Sequence, residues 1–370
     1  MKEERDFAGF VLTFAAGVYL TTASGTALSG HAPALGTAFL YAVSILLAAI
    51  LHLTGTRRCS TAVRRTLIIL LGFCCGGFIG TGGSIMSICS SDSSPALEEI
   101  AGMMSDAIDR ISFMQADSKA IIKALITGDR SDIPSSVTEA FRASGASHIL
   151  ALSGFHLGII YGIGTWILSW TGGRKSLRIS RSLVIITICG IYTIATGAGA
   201  SIVRAFIFIL MRETALITHR SAQTSSVLPS ALAVQLLLDP ASIRSVSFQL
   251  SYAAMAGIAY IYPYLQSFWP SDEKGEVKEW PVMRRIWSSA ALSISCQLTT
   301  GPLAFIYFNS FPEHFLLTNL IAVPVTSLLI PASLLVLCLD MAGICPEILV
   351  RITELLVEAL SRSLEVISRM

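Results

Sequence analysis

Apolar runs close to the length of a transmembrane helix occupy most of this chain and constrain its fold more than any other feature. A helix that crosses a bilayer needs about 20 mostly apolar residues. The runs that approach this length are 7–28, 33–53, 66–89, 147–168, 182–199, 201–217, 225–238, 246–263, 286–307 and 316–339. The sequence therefore predicts an all-α integral membrane protein with about nine to ten transmembrane or re-entrant helices.

Composition favours the same class. The chain is 53% hydrophobic and 14% charged, whereas soluble domains are nearer about 25% charged. The first run follows Lys2 and Arg5, and another run comes directly after it, so we expect an uncleaved first helix rather than a signal peptide. Most of the eight cysteines lie inside predicted spans without C-x-x-C spacing, so we expect no metal site and no cofactor.

Positive charges in two short loops predict the orientation. Arginine and lysine cluster in loop 55–65 and again in loop 171–181. Cytoplasmic loops carry such an excess, so both loops are expected on the cytoplasmic side. Both termini are then cytoplasmic, and residues 90–146 form a short extracytoplasmic helical insert. This divides the chain into an N-terminal three-helix segment (1–89), the insert (90–146), a membrane domain (147–340) and a C-terminal amphipathic helix (341–370).

The two polar segments differ in character. The insert carries nine acidic and five basic residues, a net charge of −4. An acidic outer surface is poor at capturing polyanions. In the C-terminal segment, charged residues recur every three or four positions opposite a face of leucine, isoleucine and valine. That pattern predicts a helix lying on the membrane or against a partner, and a solvated helix face is the alternative.

The segment His148–Gly164 is apolar enough to cross a membrane, yet it contains two histidines and a serine. Polar groups at membrane depth suggest a functional site. As one helix, the segment would place Ser153 and His156 on a shared face beside Gly154. Its other glycines, Gly158 and Gly162, predict close packing by a second helix. The alternative is that Ser153 bonds its own backbone and the histidines cap helix ends.

Further polar residues lie inside other spans. Arg204 in ASIVRAFIFIL would cost about 2.5–3.5 kcal/mol in lipid, so it needs a partner, a wet cavity or the interface. Gln249 in FQLSY and Asn319 in TNLIAVP are two more such residues. Each taken alone is more typical of a hydrogen bond between packed helices. Their occurrence on several helices favours a shared site.

Ordinary catalytic motifs are weakly supported. Ser153 and His156 can touch as nucleophile and base, but no orienting carboxylate lies near them in the sequence. Neither H-E-x-x-H nor the Walker motif G-x-x-x-x-G-K-[ST] occurs. We therefore expect no enzymatic activity.

Several motifs together resemble one family. ALITGDRSDIP, EAFRASGASHILALSGFHLGIIYGI, GASIVRAFIFILM, FQLSY and TNLIAVP occur in the order found in the ComEC competence proteins of bacteria. The resemblance implies a polytopic channel for single-stranded DNA, with Gly128, Asp129 and Arg130 in an outer loop. The family usually adds an OB-type domain and often a metallo-β-lactamase-like nuclease. The insert is too short for the first, and no H-x-H-x-D-H motif follows residue 340.

The sequence thus predicts a channel that passes single-stranded DNA across the bacterial cytoplasmic membrane. The residues expected along the DNA path are His148, Ser153, Gly154, His156, Arg204, Gln249 and Asn319. Partners implied by the resemblance are membrane lipid, DNA-uptake proteins, a helicase motor, a separate nuclease and a second copy of the chain. Two rivals stay open: a secondary transporter with Arg204 binding an anionic solute, and an intramembrane hydrolase using Ser153 and His156.

Overall fold

Helices make up all the regular structure that the computed structural model describes. It describes residues 2–24, 43, 61–81, 95–111, 113–170, 177–269, 281–309 and 314–370. We number the α-helices α1 Lys2–Ser24, α2 Thr61–Thr81, α3 Pro95–Arg110, α4 Ala116–Thr127, α5 Ser135–Ala143, α6 Ser147–Leu150, α7 Gly154–Ser169, α8 Arg178–Ala195, α9 Ala200–Ile217, α10 Thr224–Leu238, α11 Val246–Ala256, α12 Tyr262–Gln266, α13 Pro281–Phe308, α14 Phe315–Met341 and α15 Glu347–Ser368. The all-α prediction is confirmed for these residues.

The chain divides into two compact units. The first contains residues 1–92 and 214–259, and the second contains residues 93–213 and 260–370. Because the units interleave along the sequence, a helix that follows another in the chain does not always share its core.

Glycines bring α1 and α2 of the first unit into backbone contact. A Cβ placed on Gly76 would lie 1.9 Å from the carbonyl oxygen of Phe14, and one on Gly72 would lie 2.4 Å from that of Phe10. No side chain fits such gaps, so only glycine allows this approach. The G-x-x-x-G spacing at Gly72 and Gly76 was visible in the sequence, but the packing prediction was placed on Gly158 and Gly162.

The rest of the first unit is tied by polar contacts. Tyr252 on α11 donates a hydrogen bond to the side-chain oxygen of Gln235 on α10 at 2.9 Å. Between them lies a 3₁₀ turn, Pro240–Arg244, and the side chain of Gln249 donates to the carbonyl of Ile243 in that turn at 3.0 Å. The apolar run 225–238 corresponds to α10, which has 15 residues and contains Pro229.

The second unit is built around α14. Buried side chains from α3 to α6 and from α15 surround it in one apolar core. Members of that core include Ile121, Leu125 and Phe141 of the insert, Leu329 of α14 and Leu360 of α15. Burial of so many large side chains against α14 fixes both the insert and the C-terminal helix on it.

This shared core ties the C-terminal helix to the insert. Glu354 on α15 accepts hydrogen bonds from the backbone N–H groups of Met114 and Gln115 in the insert. Segments in contact cannot lie on opposite sides of a hydrocarbon layer about 30 Å thick. An insert outside the membrane and an α15 wholly on the cytoplasmic side are therefore incompatible. Orientation relative to the membrane stays a prediction.

A second core joins α7, α8 and α9. Leu157 of α7, Ile185 and Cys189 of α8, and Ile202 and Ile209 of α9 are all buried in it. The predicted break between the last two helices is confirmed, because the backbone turns at Gly197 with φ of +76°. Glycine adopts this left-handed conformation without steric cost.

Within the described residues, three helices are long and apolar enough to cross a membrane. They are Arg178–Ala195, Val282–Phe308 and Phe315–Met341. Shorter apolar helices of the described chain are Asp6–Thr22, Arg65–Gly77, Gly154–Ser169 and Thr224–Leu238. The predicted count of nine to ten is not reached by these criteria, and the predicted span 33–53 lies outside the described residues apart from residue 43.

We predict that Gly76→Leu destroys the contact between α1 and α2, whereas Gly158→Leu is tolerated. A side chain at Gly76 meets backbone atoms that cannot yield, so the loss should exceed the about 1–3 kcal/mol typical of overpacking. Nothing lies within 4 Å of a Cβ on Gly158. Thermal unfolding of the two detergent-purified variants measures the stability of each. Equal melting temperatures would contradict the described packing.

Candidate functional site

The predicted single helix over His148–Gly164 is interrupted. Residues Ala151, Leu152 and Ser153 separate the short helix α6 from α7. His148 therefore lies on a different helix from His156, with its Nδ1 atom 3.1 Å from the carbonyl oxygen of Gly145. The cause is local: a serine at a helix start can satisfy free N–H groups, which ends the preceding helix and begins a new one.

Ser153 and His156 form the cap of α7. The N–H of Phe155 donates to Ser153 Oγ at 3.3 Å. The N–H of Ser153 in turn donates to His156 Nδ1 at 3.3 Å. Ser153 Oγ lies 3.1 Å from the same ring nitrogen. This reciprocal arrangement resembles a capping box, so the capping interpretation is confirmed for these two residues.

The other ring nitrogen of His156 has no hydrogen-bond partner among the described residues. The side chain is 0% exposed, and its Nε2 atom is buried and unbonded. Because Nδ1 accepts from Ser153, a neutral ring carries its proton on Nε2, which makes Nε2 a donor. A buried donor without a partner costs about 1–3 kcal/mol. Native structures rarely leave such a group unpaired, so His156 is a candidate binding residue.

Two contacts show that α7 and α9 run parallel. A Cβ on Gly154 would lie 3.1 Å from the Cβ of Ala205. Seven residues along α7, Tyr161 donates to a carboxylate oxygen of Glu213 at 2.6 Å. In both pairs the residue on α9 follows its partner on α7 by nearly the same number of positions in the sequence. The two helices therefore run in the same direction. The N-terminal cap of α7 therefore lies beside Ala205, the residue next to Arg204.

The antiparallel helix α8 completes the site. A Cβ on Gly190 of α8 would lie 3.5 Å from the ring of Phe206 on α9. Tyr192 and Arg204 are each two residues nearer the turn that connects these helices, so they lie at the same level along the helix pair. Arg204 is 2% exposed, and the hydroxyl of Tyr192 is buried without a hydrogen-bond partner in the described structure. We call His156, Tyr192 and Arg204 the polar layer, a name that refers to their levels on three packed helices and not to a contact between their side chains.

A second group of polar side chains lies further along the same helices. Glu213 is 2% exposed and accepts a hydrogen bond from the hydroxyl of Tyr161, while Arg212 Nε donates to the Tyr161 oxygen at 3.1 Å. Glu213 lies nine residues after Arg204 on α9, a distance of about 13 Å along the helix axis. Sequence reasoning missed this group. The adjacent charges in MRET, inside a predicted span, were the signal that could have revealed it.

The predicted outer loop is held by a buried lysine. Lys123 Nζ lies 2.8 Å from Asp132, 3.1 Å from Asp109 and 3.5 Å from Asp129. Its hydrogen bond with Asp132 raises the pKa of Lys123 above the usual range. The backbone N–H of Ser131, aided by Lys123, lowers the pKa of Asp129.

This loop reaches the segment before α7. Gly128 ends α4 with φ of +83°, and a Cβ there would lie 2.5 Å from the side chain of Leu152. Leu152 directly precedes the capping residue Ser153. Gly128 and Asp129 therefore have a visible positioning role, whereas Arg130 is exposed at the surface.

The contacts described above for α7, α8 and α9 do not include the remaining predicted residues. Gln249 belongs to the first unit. Asn319 is on α14, and its side-chain oxygen is buried without a described partner. The packing predicted at Gly158 and Gly162 is absent from the described structure, because nothing lies within 4 Å of a Cβ at either position. The described residues contain no group of three His, Cys, Asp or Glu arranged to hold a metal ion.

We predict that Lys123→Met destabilises the protein while Arg130→Ala does not. Removal of the buried ammonium leaves three partly exposed carboxylates uncompensated, an expected loss of about 1–3 kcal/mol. Thermal unfolding at neutral pH measures the difference. Since the pKa of Asp129 is lowered, its contribution is present at neutral pH and is lost as the pH falls, so the gap between parent and Lys123→Met should narrow below about pH 4. A gap that widens in acid would contradict this account.

Comparisons with known proteins give a consistent picture. A sequence model described as "Competence protein" matches residues 125–370. ComE operon protein 3 of Bacillus subtilis is 24% identical over 60% of this chain and 25% of its own length. Recombination protein 2 of Haemophilus influenzae is 24% identical over 57% of this chain and 27% of its own length.

A third relative, the uncharacterized protein YcaI of Escherichia coli, is 25% identical over 60% of this chain and 29% of its own length. The chain therefore spans between a quarter and a third of the length of these relatives. No solved structure matches it.

Proposed function

We propose that this chain, which belongs to the competence protein family, passes single-stranded DNA across the bacterial cytoplasmic membrane during natural transformation. In this proposal the polar layer forms part of the wall of the passage. His156 and Tyr192 offer hydrogen bonds to phosphate oxygens or to water, and Arg204 supplies the positive charge.

One observation carries the proposal: a fully buried histidine donor without a partner among the described residues, on a helix packed beside the one that carries a buried arginine. A moving polyanion needs donors along a wet path, but few fixed charges, so that it binds weakly enough to leave. A single arginine with neutral donors suits that requirement better than a cluster of cations. Guanidinium also matches the geometry of phosphate oxygens.

Other proteins would supply the remaining steps. The insert carries a net charge of −4, which opposes capture of a polyanion at the outer surface. We therefore propose that DNA-uptake proteins deliver the strand, that a separate nuclease trims it and that a helicase motor pulls it inward. Lipid surrounds the apolar helix faces, and a second copy of the chain remains a candidate partner.

The proposal predicts that His156→Ala and Arg204→Ala abolish transformation while the protein still accumulates in the membrane. DNA binding at the cell surface should persist, because capture belongs to other proteins. Arg204→Lys keeps the charge but loses the planar donors, so partial activity is expected. Arg220→Ala, at an exposed position, is the matched control and should transform normally. Full transformation by Arg204→Ala would refute a role for this layer in the passage.

A second candidate, an intramembrane hydrolase, is favoured by the 3.1 Å contact between Ser153 Oγ and His156 Nδ1. A nucleophile needs this contact, but the base also needs an orienting group on its other nitrogen. Ser153→Ala separates the two functions. A cap alone is worth about 0.5–2 kcal/mol, so substantial uptake should survive. Complete loss of uptake in a stable Ser153→Ala protein, with fluorophosphonate labelling of the parent, would favour the hydrolase.

A further inference from the structure

The C-terminal helix α15 has three distinct faces. Its buried face includes Val357, Leu360 and Leu364 of the α14 core. A charged flank, at spacings of seven, four, three and four residues, consists of Arg351, Glu358, Arg362, Glu365 and Arg369. An apolar stripe, at spacings of four, three, four and seven, consists of Ile348, Ile352, Leu355, Ala359 and Val366. On a helix that turns about 100° per residue, the two sets occupy adjacent sectors whose mean directions differ by about 75°.

α15 runs antiparallel along most of α14. Only residues 342–346 connect the two helices. The shared core extends from Ala322 to Leu337 on α14, a length of about 22 Å. Since α14 is a candidate span, α15 lies at the same depth as the greater part of that span. A helix lying flat on the membrane surface could not contact α14 over this length.

The exposed apolar stripes fit a hydrocarbon environment. Leu328 and Leu335 of α14 are 61% and 49% exposed, and Ile348 and Leu355 of α15 are 71% and 53% exposed. Aliphatic side chains so exposed on two paired helices are costly in water and favourable in lipid. The charged flank has the opposite preference. Each charge at membrane depth in lipid costs at least about 2.5 kcal/mol, so such residues face protein or water.

We propose that α14 and α15 form a transmembrane hairpin whose apolar stripe faces lipid and whose charged flank lines a water-filled cavity within the membrane. The flank carries both signs of charge. Arg362 lies 2.5 Å from Glu358, and Arg351 lies 3.5 Å from Glu354. Paired charges of this kind hold water while keeping the net field small, which suits a hydrated compartment better than a site for one ion.

This inference is independent of the proposed DNA cargo, because it concerns only where water and lipid meet the helix. It also explains why hydropathy does not identify α15 as a candidate membrane span. Its apolar residues are divided between the buried face and the lipid stripe, and its charged residues occupy the remaining flank. Sequence periodicity alone cannot distinguish that arrangement from a helix lying on the membrane surface.

Cysteine accessibility in native membranes tests the proposal. In a chain whose eight cysteines are replaced, Arg362→Cys places a thiol on the charged flank and Ala359→Cys places one on the apolar stripe, less than one turn away. A charged methanethiosulfonate reagent should label the first and not the second. A lipid-soluble maleimide should label both. Labelling of both by the charged reagent would show that α15 lies in water outside the membrane. Labelling of neither would show that another protein surface covers the flank. Either result overturns the proposal.

The two ends of α15 give a second test. Ala342→Cys, in the connection between the helices, and Ser368→Cys, at the far end, should be labelled from opposite sides of the membrane. Labelling of both from one side would contradict a hairpin. If the cysteine-free chain fails to accumulate, epitope tags inserted after Gly343 and after Met370 in the otherwise natural chain report the same sides by antibody binding to spheroplasts.

Discussion

A polar group buried among apolar helices must find a partner, and the second unit is organised around that constraint. Lys123 gathers three carboxylates, Tyr161 joins Arg212 to Glu213, and Ser153 shares its hydrogen bonds with His156. Each group ties one helix or loop to another because leaving it unpaired would cost more than ordering it. The Nε2 atom of His156, the hydroxyl of Tyr192 and the side-chain oxygen of Asn319 depart from this pattern, since each is buried and no described residue satisfies it.

Local rules predicted much of the fold. The break near Gly197 follows from glycine's freedom to adopt positive φ, and the helical class follows from the lengths of the apolar runs. The sequence analysis missed the interruption at Ser153 because the apolar pattern continues through it. Hydrophobic periodicity takes no account of the hydrogen bonds by which a serine can begin a new helix. Gly158 was assigned to packing because spacing cannot tell which face of a helix is covered.

Tertiary partners explain the remaining differences. Arg204 was expected to need a partner, a wet cavity or the interface, but the level that it shares with Tyr192 becomes clear only when Gly190 is seen beside Phe206. Lys123 drew no attention in the sequence, since the carboxylates around it come from α3 and from the loop after α4. Membership of the competence family is consistent with this site without supplying its geometry, because the relatives match over only part of their length.

Photo-crosslinking during uptake tests the central claim most directly. Phe155 lies between the capping residues Ser153 and His156, so p-benzoylphenylalanine there replaces one aromatic ring by another beside the polar layer. The same substitution at Trp166, 58% exposed on the same helix, is the control. Irradiation while labelled DNA enters the cell should give a protein–DNA adduct at position 155 and none at 166. Adducts at neither position, with DNA uptake intact, would contradict a DNA passage at this layer.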